Sequence, residues 1–223
     1  ALFLAALRAL VLEITGNRRA PFWALLFVLL LWGVGPYRYS GFFGLNSIGF
    51  VAPYPSTFAT AVALATLVAA LRFARGEGTV ALAVVTVGAA LVLLVHPLTA
   101  PWLAVALLLV GTLRVRSWVR WAELAGAGLV ALALSVAWPY FSVVDLVRDS
   151  GDLEGLNQSM YSGVLPKVLP LLVGLGAVAR RWQADHRDVL TAWLAGATLL
   201  YVLGAAVDNT SLGRSLAFIV LLL

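Results

Sequence analysis

Between Glu77 and Arg114 the chain carries no aspartate, glutamate, lysine or arginine. Only His96-Pro97 interrupts that stretch, and each apolar half has the length a bilayer requires. A hydrocarbon core about 30 Å thick takes roughly 20 apolar residues as a helix, with a range near 17–25. Lipid offers no partner to a backbone N–H or C=O, so a crossing segment this apolar must be helical. A water-soluble alternative fails on composition. Of the 223 residues, 62% are hydrophobic and 11% charged. A soluble domain carries about 25% charged residues and keeps about 30% of its unfolded-chain surface exposed, too much to hide this quantity of carbon. The lack of cysteine excludes a disulfide framework, a cysteine-ligated zinc and a thiol nucleophile.

The pattern predicts an all-α, polytopic transmembrane helix bundle. Complete spans are expected near 20–36, 54–73, 79–95, 97–113, 122–141, 164–180 and 189–207, seven in all, with truncated ones at 1–14 and 212–223. No linker divides them, so 1–223 reads as a single transmembrane domain. Its apolar ends read as those of a fragment of a larger protein. Basic residues then sort the connections into two sets. Arg18/Arg19, Arg72/Arg75, Arg114/Arg116/Arg120 and Arg180/Arg181/Arg187 fall on one set, while the other holds Arg38, Arg148, Lys167 and Arg214. Cytoplasmic loops carry the Lys/Arg excess. The loops with Arg18, Arg72, Arg116 and Arg181 are therefore expected in the cytoplasm, in a multi-pass plasma-membrane protein. The net charge of +5 then needs no nucleic acid to explain it.

The opposite side collects the uncommon polar residues. The segment from Tyr37 to Phe50 is aromatic and suits the headgroup level, with Arg38 placed to hold a lipid phosphate. It runs into Tyr54-Pro55-Ser56-Thr57, a helix start with proline and hydroxyls in the first turn. At His96-Pro97 the proline breaks the helix and the chain turns straight back. His96 is the one histidine expected on this side. It can carry a proton or meet a phosphate oxygen near neutral pH, and the cost of leaving it unpaired in lipid turns it into the bundle. The loop 142–163 is acidic, and Asp152-Leu153-Glu154 spaces two carboxylates as a divalent cation accepts them. A solvated loop is the simpler account, and no metal or other cofactor is expected. Arg214 enters the last apolar run, where an arginine needs a partner. Asp208 or a bidentately held phosphate supplies one. The candidate substrate-binding residues are thus Arg38, Tyr54, His96, Asp208 and Arg214. Phosphate-loop, His-Glu-x-x-His and Gly-x-Ser-x-Gly motifs do not occur.

Many short-looped spans, the tight His96-Pro97-Leu98-Thr99-Ala100 hairpin, the helix start Tyr54-Pro55-Ser56-Thr57-Phe58 and a late Gly213-Arg214 together resemble membrane glycosyltransferases of the GT-C fold. The resemblance implies transfer of a sugar from a polyprenyl-phosphate donor on the outer face of the membrane. Membrane lipid and the lipid-linked sugar would be the partners, with Arg214 corresponding to the family's donor-phosphate arginine. The family's catalytic acid, in an outer loop after the first span, has no counterpart at that place, so the base is expected upstream of Ala1. Two other classes fit a helical bundle: a secondary transporter or flippase, and a polysaccharide polymerase or ligase. Coupled transport needs ionisable groups near mid-membrane and broken helices. Here, Arg8 apart, the polar residues gather at one face.

Overall fold

The computed structural model describes residues 1–30, 43–45, 47–148, 161–164, 168–207, 209–213 and 215–223. Every element among them is helical. In order these are α1 (Leu2–Thr15), α2 (Ala20–Leu30), α3 (Ile48–Val51), α4 (Pro55–Arg75), α5 (Thr79–Val95), a 3-10 turn (Pro97–Thr99), α6 (Ala100–Leu113), α7 (Trp118–Val136), α8 (Val143–Arg148), a 3-10 segment (Leu169–Val173), α9 (Gly174–Ala184), α10 (Val189–Ala206), α11 (Thr210–Gly213) and α12 (Ser215–Leu222). They belong to two compact units: Ala1–Leu25 with Pro53–Arg148, and Leu26–Ala52 with Asp149–Leu223.

Three of the described helices, α4, α7 and α10, are long and apolar enough to cross a membrane. This corrects the expectation of seven complete spans. The stretch expected to cross at 164–180 is not one helix. Pro170 sits at the head of a 3-10 segment, and α9 starts only at Gly174. Proline lacks the N–H and excludes the preceding helical turn, which breaks the run. The span expected at 122–141 lies earlier in the chain, at Trp118–Val136, because Pro139 disfavours helix in the residue before it. Elsewhere local signals act as read. Tyr54 is extended, Pro55 opens α4, and Gly76 closes it at φ +114°, its N–H bonded to the Arg72 and Phe73 carbonyls.

In the first unit α4 is the hub, packed by α1, α5 and α6, while α5 also packs on α7. The shared core is made of small residues, with Ala63, Ala89, Ala90 and Ala131 around Val92 and Leu103. In lipid, helices gain little from burying carbon against carbon, so close backbone approach and dispersion decide their association. Six hydroxyls inside the helices are satisfied locally. Thr60, Thr66, Thr86, Thr112 and Ser135, and Thr198 in α10, each donate to the carbonyl four residues earlier. By contrast α7 and α10 present Leu129, Val130, Leu132, Leu199 and Val202 outward. Apolar patches of that extent are covered by lipid or by another chain.

The arginine-rich end of this unit is tied together by charge. Glu13 of α1, with a side chain only 7% exposed, accepts from Arg72 Nε at 3.1 Å and from Arg75 Nη2. Arg120 of α7 donates to the Phe73 and Gly76 carbonyls and lies over the Phe73 ring. It thereby covers orphan carbonyls at the C-terminus of α4.

In the second unit Val168, Leu171, Leu216 and Val220 form a small core, and Asp188 caps α10. Its buried carboxylate accepts from Arg181 Nε at 3.2 Å and from Arg181 Nη2. It also accepts from the Thr191 amide at 3.0 Å and hydroxyl at 2.7 Å. Burial pushes this carboxyl up. The bonds from Arg181 and Thr191 outweigh it and hold the pKa below the ordinary value. The stabilisation is therefore complete above the ordinary carboxylate range and is lost as pH falls through the lowered value. Hydrogen exchange at Thr191, corrected for intrinsic rate, is expected to stay constant from about pH 7 to pH 5 and to accelerate below about pH 4. Asp188→Asn should exchange faster at neutral pH and lack the acid step.

Candidate functional site

Opposite the Glu13–Arg72–Arg75 cluster, at the far end of α5, the chain turns on His96. The Thr99 amide closes the 3-10 turn onto the His96 carbonyl at 2.9 Å, and His96 Nδ1 lies 2.8 Å from Thr99 Oγ1. Thr99 is buried and His96 half-buried. The hydroxyl fixes the imidazole plane, as an orienting partner does for a working histidine. This turn packs against α4 and α8. Tyr54, just before α4, is 38% exposed, and Ser56, in the first turn of α4, is 4% exposed. Ser56 Oγ meets no hydrogen-bond partner among the described residues. A buried hydroxyl without a partner costs about 1–3 kcal/mol. From α8 comes the exposed Asp145, whose amide is capped by Ser142 Oγ at 3.1 Å.

A groove of about 530 Å³ begins at this turn. Its walls are Ala89 and Leu93 of α5, Pro97 of the turn, Pro101, Ala104 and Leu108 of α6, and Leu124, Ala125, Gly128 and Leu132 of α7. Gly111 of α6 and Trp121 of α7 line it as well. A Cβ on Gly111 would stand 3.1 Å from Trp121 Nε1. Trp121 is in turn stacked on the exposed Trp118, with ring centroids 5.5 Å apart. The volume is that of a ligand pocket, yet the wall side chains carry no polar atom beyond that indole nitrogen. Such a surface favours apolar groups over polar ones.

The chain matches no protein-family model, no curated protein and no solved structure.

Of the residues singled out by sequence, the structure therefore places two, His96 and Tyr54, at the same end of the first unit. Arg38, Asp208 and Arg214, and the carboxylates Asp152 and Glu154, lie outside the described residues. No group of three metal-ligating side chains occurs among the described ones. Sequence reasoning did not single out Thr99, Ser56, Trp121 or Gly128 as site residues. The first two lay inside motifs already noticed. Trp121, Leu124, Ala125, Gly128 and Leu132 follow a helical stripe, but a stripe does not tell whether a neighbouring helix covers it. Tyr161 was also missed. In the second unit it donates to the Asn209 carbonyl at 2.5 Å and packs so closely that a Cβ on Gly204 would stand 2.3 Å from its hydroxyl.

Proposed function

We propose that the protein is a membrane glycosyltransferase-like enzyme that takes a sugar from a polyprenyl-phosphate donor on the outer face of the plasma membrane. The observation that carries this reading is the carbon-lined groove that opens beside the His96–Thr99 pair. It offers one place for a hydrocarbon tail, and Pro97 in its wall follows His96 directly in the chain. In this reading α5 and Pro97–Leu113, each about 26 Å long, cross the bilayer with α4, α7 and α10. The loops with Arg72 and Arg116 face the cytoplasm, and the His96 turn faces outward.

Catalysis then rests on charge placed for the leaving group. The resemblance gives the donor phosphate to Arg214, with Arg38 as a second guanidinium. Fixed positive charge where negative charge develops is commonly the largest catalytic contribution. His96, steered by Thr99, is the group of the first unit that can meet a proton or an oxygen of a bound ligand. A carboxylate base takes the acceptor's proton.

The test uses full-length protein in liposomes with a radiolabelled polyprenyl-phosphate sugar. His96→Ala is expected to lower transfer about tenfold and Arg214→Ala about a hundredfold, near 1.4 and 2.7 kcal/mol of transition-state stabilisation. Transfer unchanged in both variants removes the assignment of these residues. Movement of a solute down an ion gradient without sugar transfer gives the transporter reading instead.

A further inference from the structure

Helix α9 is fixed at both ends yet buried nowhere. Gly174, its first residue, lies so close to the Leu223 carbonyl that a Cβ would overlap it. Near its other end Arg181 is bonded to Asp188, the N-cap of α10. None of its 11 residues is buried. Its apolar side chains share one face, because Leu175, Val178, Ala179 and Trp182 follow the i, i+3, i+4, i+7 spacing. Leu175 is 48% exposed and Trp182 42%. The same spacing puts Ala177, Arg180 and Ala184 on the opposite face.

The start of α10 sets the depth of this helix. Arg180, Arg181, Asp185, His186 and Arg187 all precede its capping Asp188. A helix as long and apolar as α10 that crosses a membrane leaves such a cluster at the headgroups, since charge is costly in hydrocarbon. Helix α9 runs into that cluster. It is about 16 Å long at 1.5 Å per residue, about half of a 30 Å hydrocarbon core, so it cannot cross. Standing upright, it would carry the 3-10 segment Leu169–Val173 to the bilayer centre. Leu169 and Val173 are exposed, and irregular backbone facing lipid finds no hydrogen-bond partner there.

We propose that α9 lies flat on the surface of the bilayer that α10 crosses, with Leu175, Val178, Ala179 and Trp182 sunk below the phosphates. This rests on α10 being a span and is independent of sugar transfer. An apolar face that carries tryptophan, with arginine on the other side, is the pattern of a helix at the water–lipid boundary. Anionic headgroups complement the exposed Arg180 and Arg187. The Arg181–Asp188 bond keeps the face at headgroup depth, where lipid is its neighbour.

No cysteine competes within the 223 residues, so single cysteines report depth. Each carries a nitroxide in full-length protein otherwise free of cysteine, in nanodiscs of phosphatidylcholine and phosphatidylglycerol. Collisions with oxygen and with a water-soluble nickel complex give the depth of the label. Leu175→Cys and Trp182→Cys stand about 10 Å apart along the apolar face, and Ala177→Cys and Ala184→Cys equally far apart on the opposite one. The first pair is expected at equal depth, about 5–10 Å below the phosphates, and the second pair in water. A depth difference of about 10 Å between the Leu175 and Trp182 labels means an upright helix and overturns the proposal. So do labels as open to nickel as the Ala177 label, which leave the face in water. Labels shielded from both reagents put protein on the face, a second copy included, and overturn it too. Leu175→Gln with Trp182→Gln should raise nickel collisions of an Ala179→Cys label about tenfold, since two apolar side chains no longer favour lipid. The unfolding temperature in detergent should hold, because neither side chain is buried in the chain. An Ala179 label that ignores the double change also sinks the assignment. A Leu199→Cys label, about 15 Å into α10, is expected at the bilayer centre. Leu199 outside hydrocarbon removes the span and the seat of α9 with it. Leu199 at the centre with a water-exposed Trp182 label removes α9 alone.

Discussion

Gly88→Leu separates α4 from α5 and costs about 3 kcal/mol or more, read as a fall in unfolding temperature in detergent. A Cβ at Gly88 would stand 2.0 Å from Thr66 Oγ1 and 3.2 Å from Thr66 Cβ. Thr66 is 1% exposed and cannot swing clear, because its hydroxyl is bonded to the Val62 carbonyl at 2.8 Å. A β-branched side chain in a helix has little rotamer choice in any case. The two helices meet across this point through Ala63, Ala89 and Ala90, so there is no long flexible side chain nearby to give way. Added carbon in a tight core costs about 1–3 kcal/mol for small increments, and leucine is a large one. Even Gly88→Ala is expected to destabilise, despite a gain of nearly 1 kcal/mol in helix propensity. The pair Thr66→Ala with Gly88→Ala should recover most of the loss, since the clash belongs to the pair. Gly88→Leu with an unchanged unfolding temperature means that α4 and α5 are not packed as described.

The helical class was legible because a bilayer leaves an apolar chain no other way to satisfy its backbone. So were the breaks at Pro55 and Pro97, where the missing N–H and the fixed φ act on the chain locally. The run 164–180 misled for the complementary reason. Its hydropathy is that of a span, but Pro170 turns its start into a 3-10 segment, and hydropathy averages over that. Charge patterning grouped Arg72, Arg75 and Arg120 on one side, and they do share one end of the first unit. That Glu13 is what holds Arg72 and Arg75 was not legible, since the partners lie 59 and 62 residues apart. The groove was the least legible feature. It arises where α6 stands away from the packed pair α5 and α7, and no single helix encodes what its neighbours leave open.

That gap can be closed with one ring. Gly128 lies in the groove wall, and a Cβ built on it meets nothing within 4 Å. Gly128→Phe therefore places an aromatic side chain in open space, and the helix itself gains, because glycine is poorer than phenylalanine inside a helix by a few tenths of a kcal/mol. The unfolding temperature should stay level or rise. Binding of a prenyl phosphate should fall at least a hundredfold, about 2.7 kcal/mol. At about 25 cal/mol per Å² that loss corresponds to roughly 110 Å² of apolar contact, well within what one phenyl ring covers. Gly126→Phe is the matched control. Gly126 is on the same helix, its Cβ also meets nothing within 4 Å, and it does not line the groove. It should keep both stability and binding. A Gly128→Phe protein that folds and binds prenyl phosphate as wild type does would place the hydrocarbon tail somewhere else. The polyprenyl-phosphate reading would then lose the observation on which it stands.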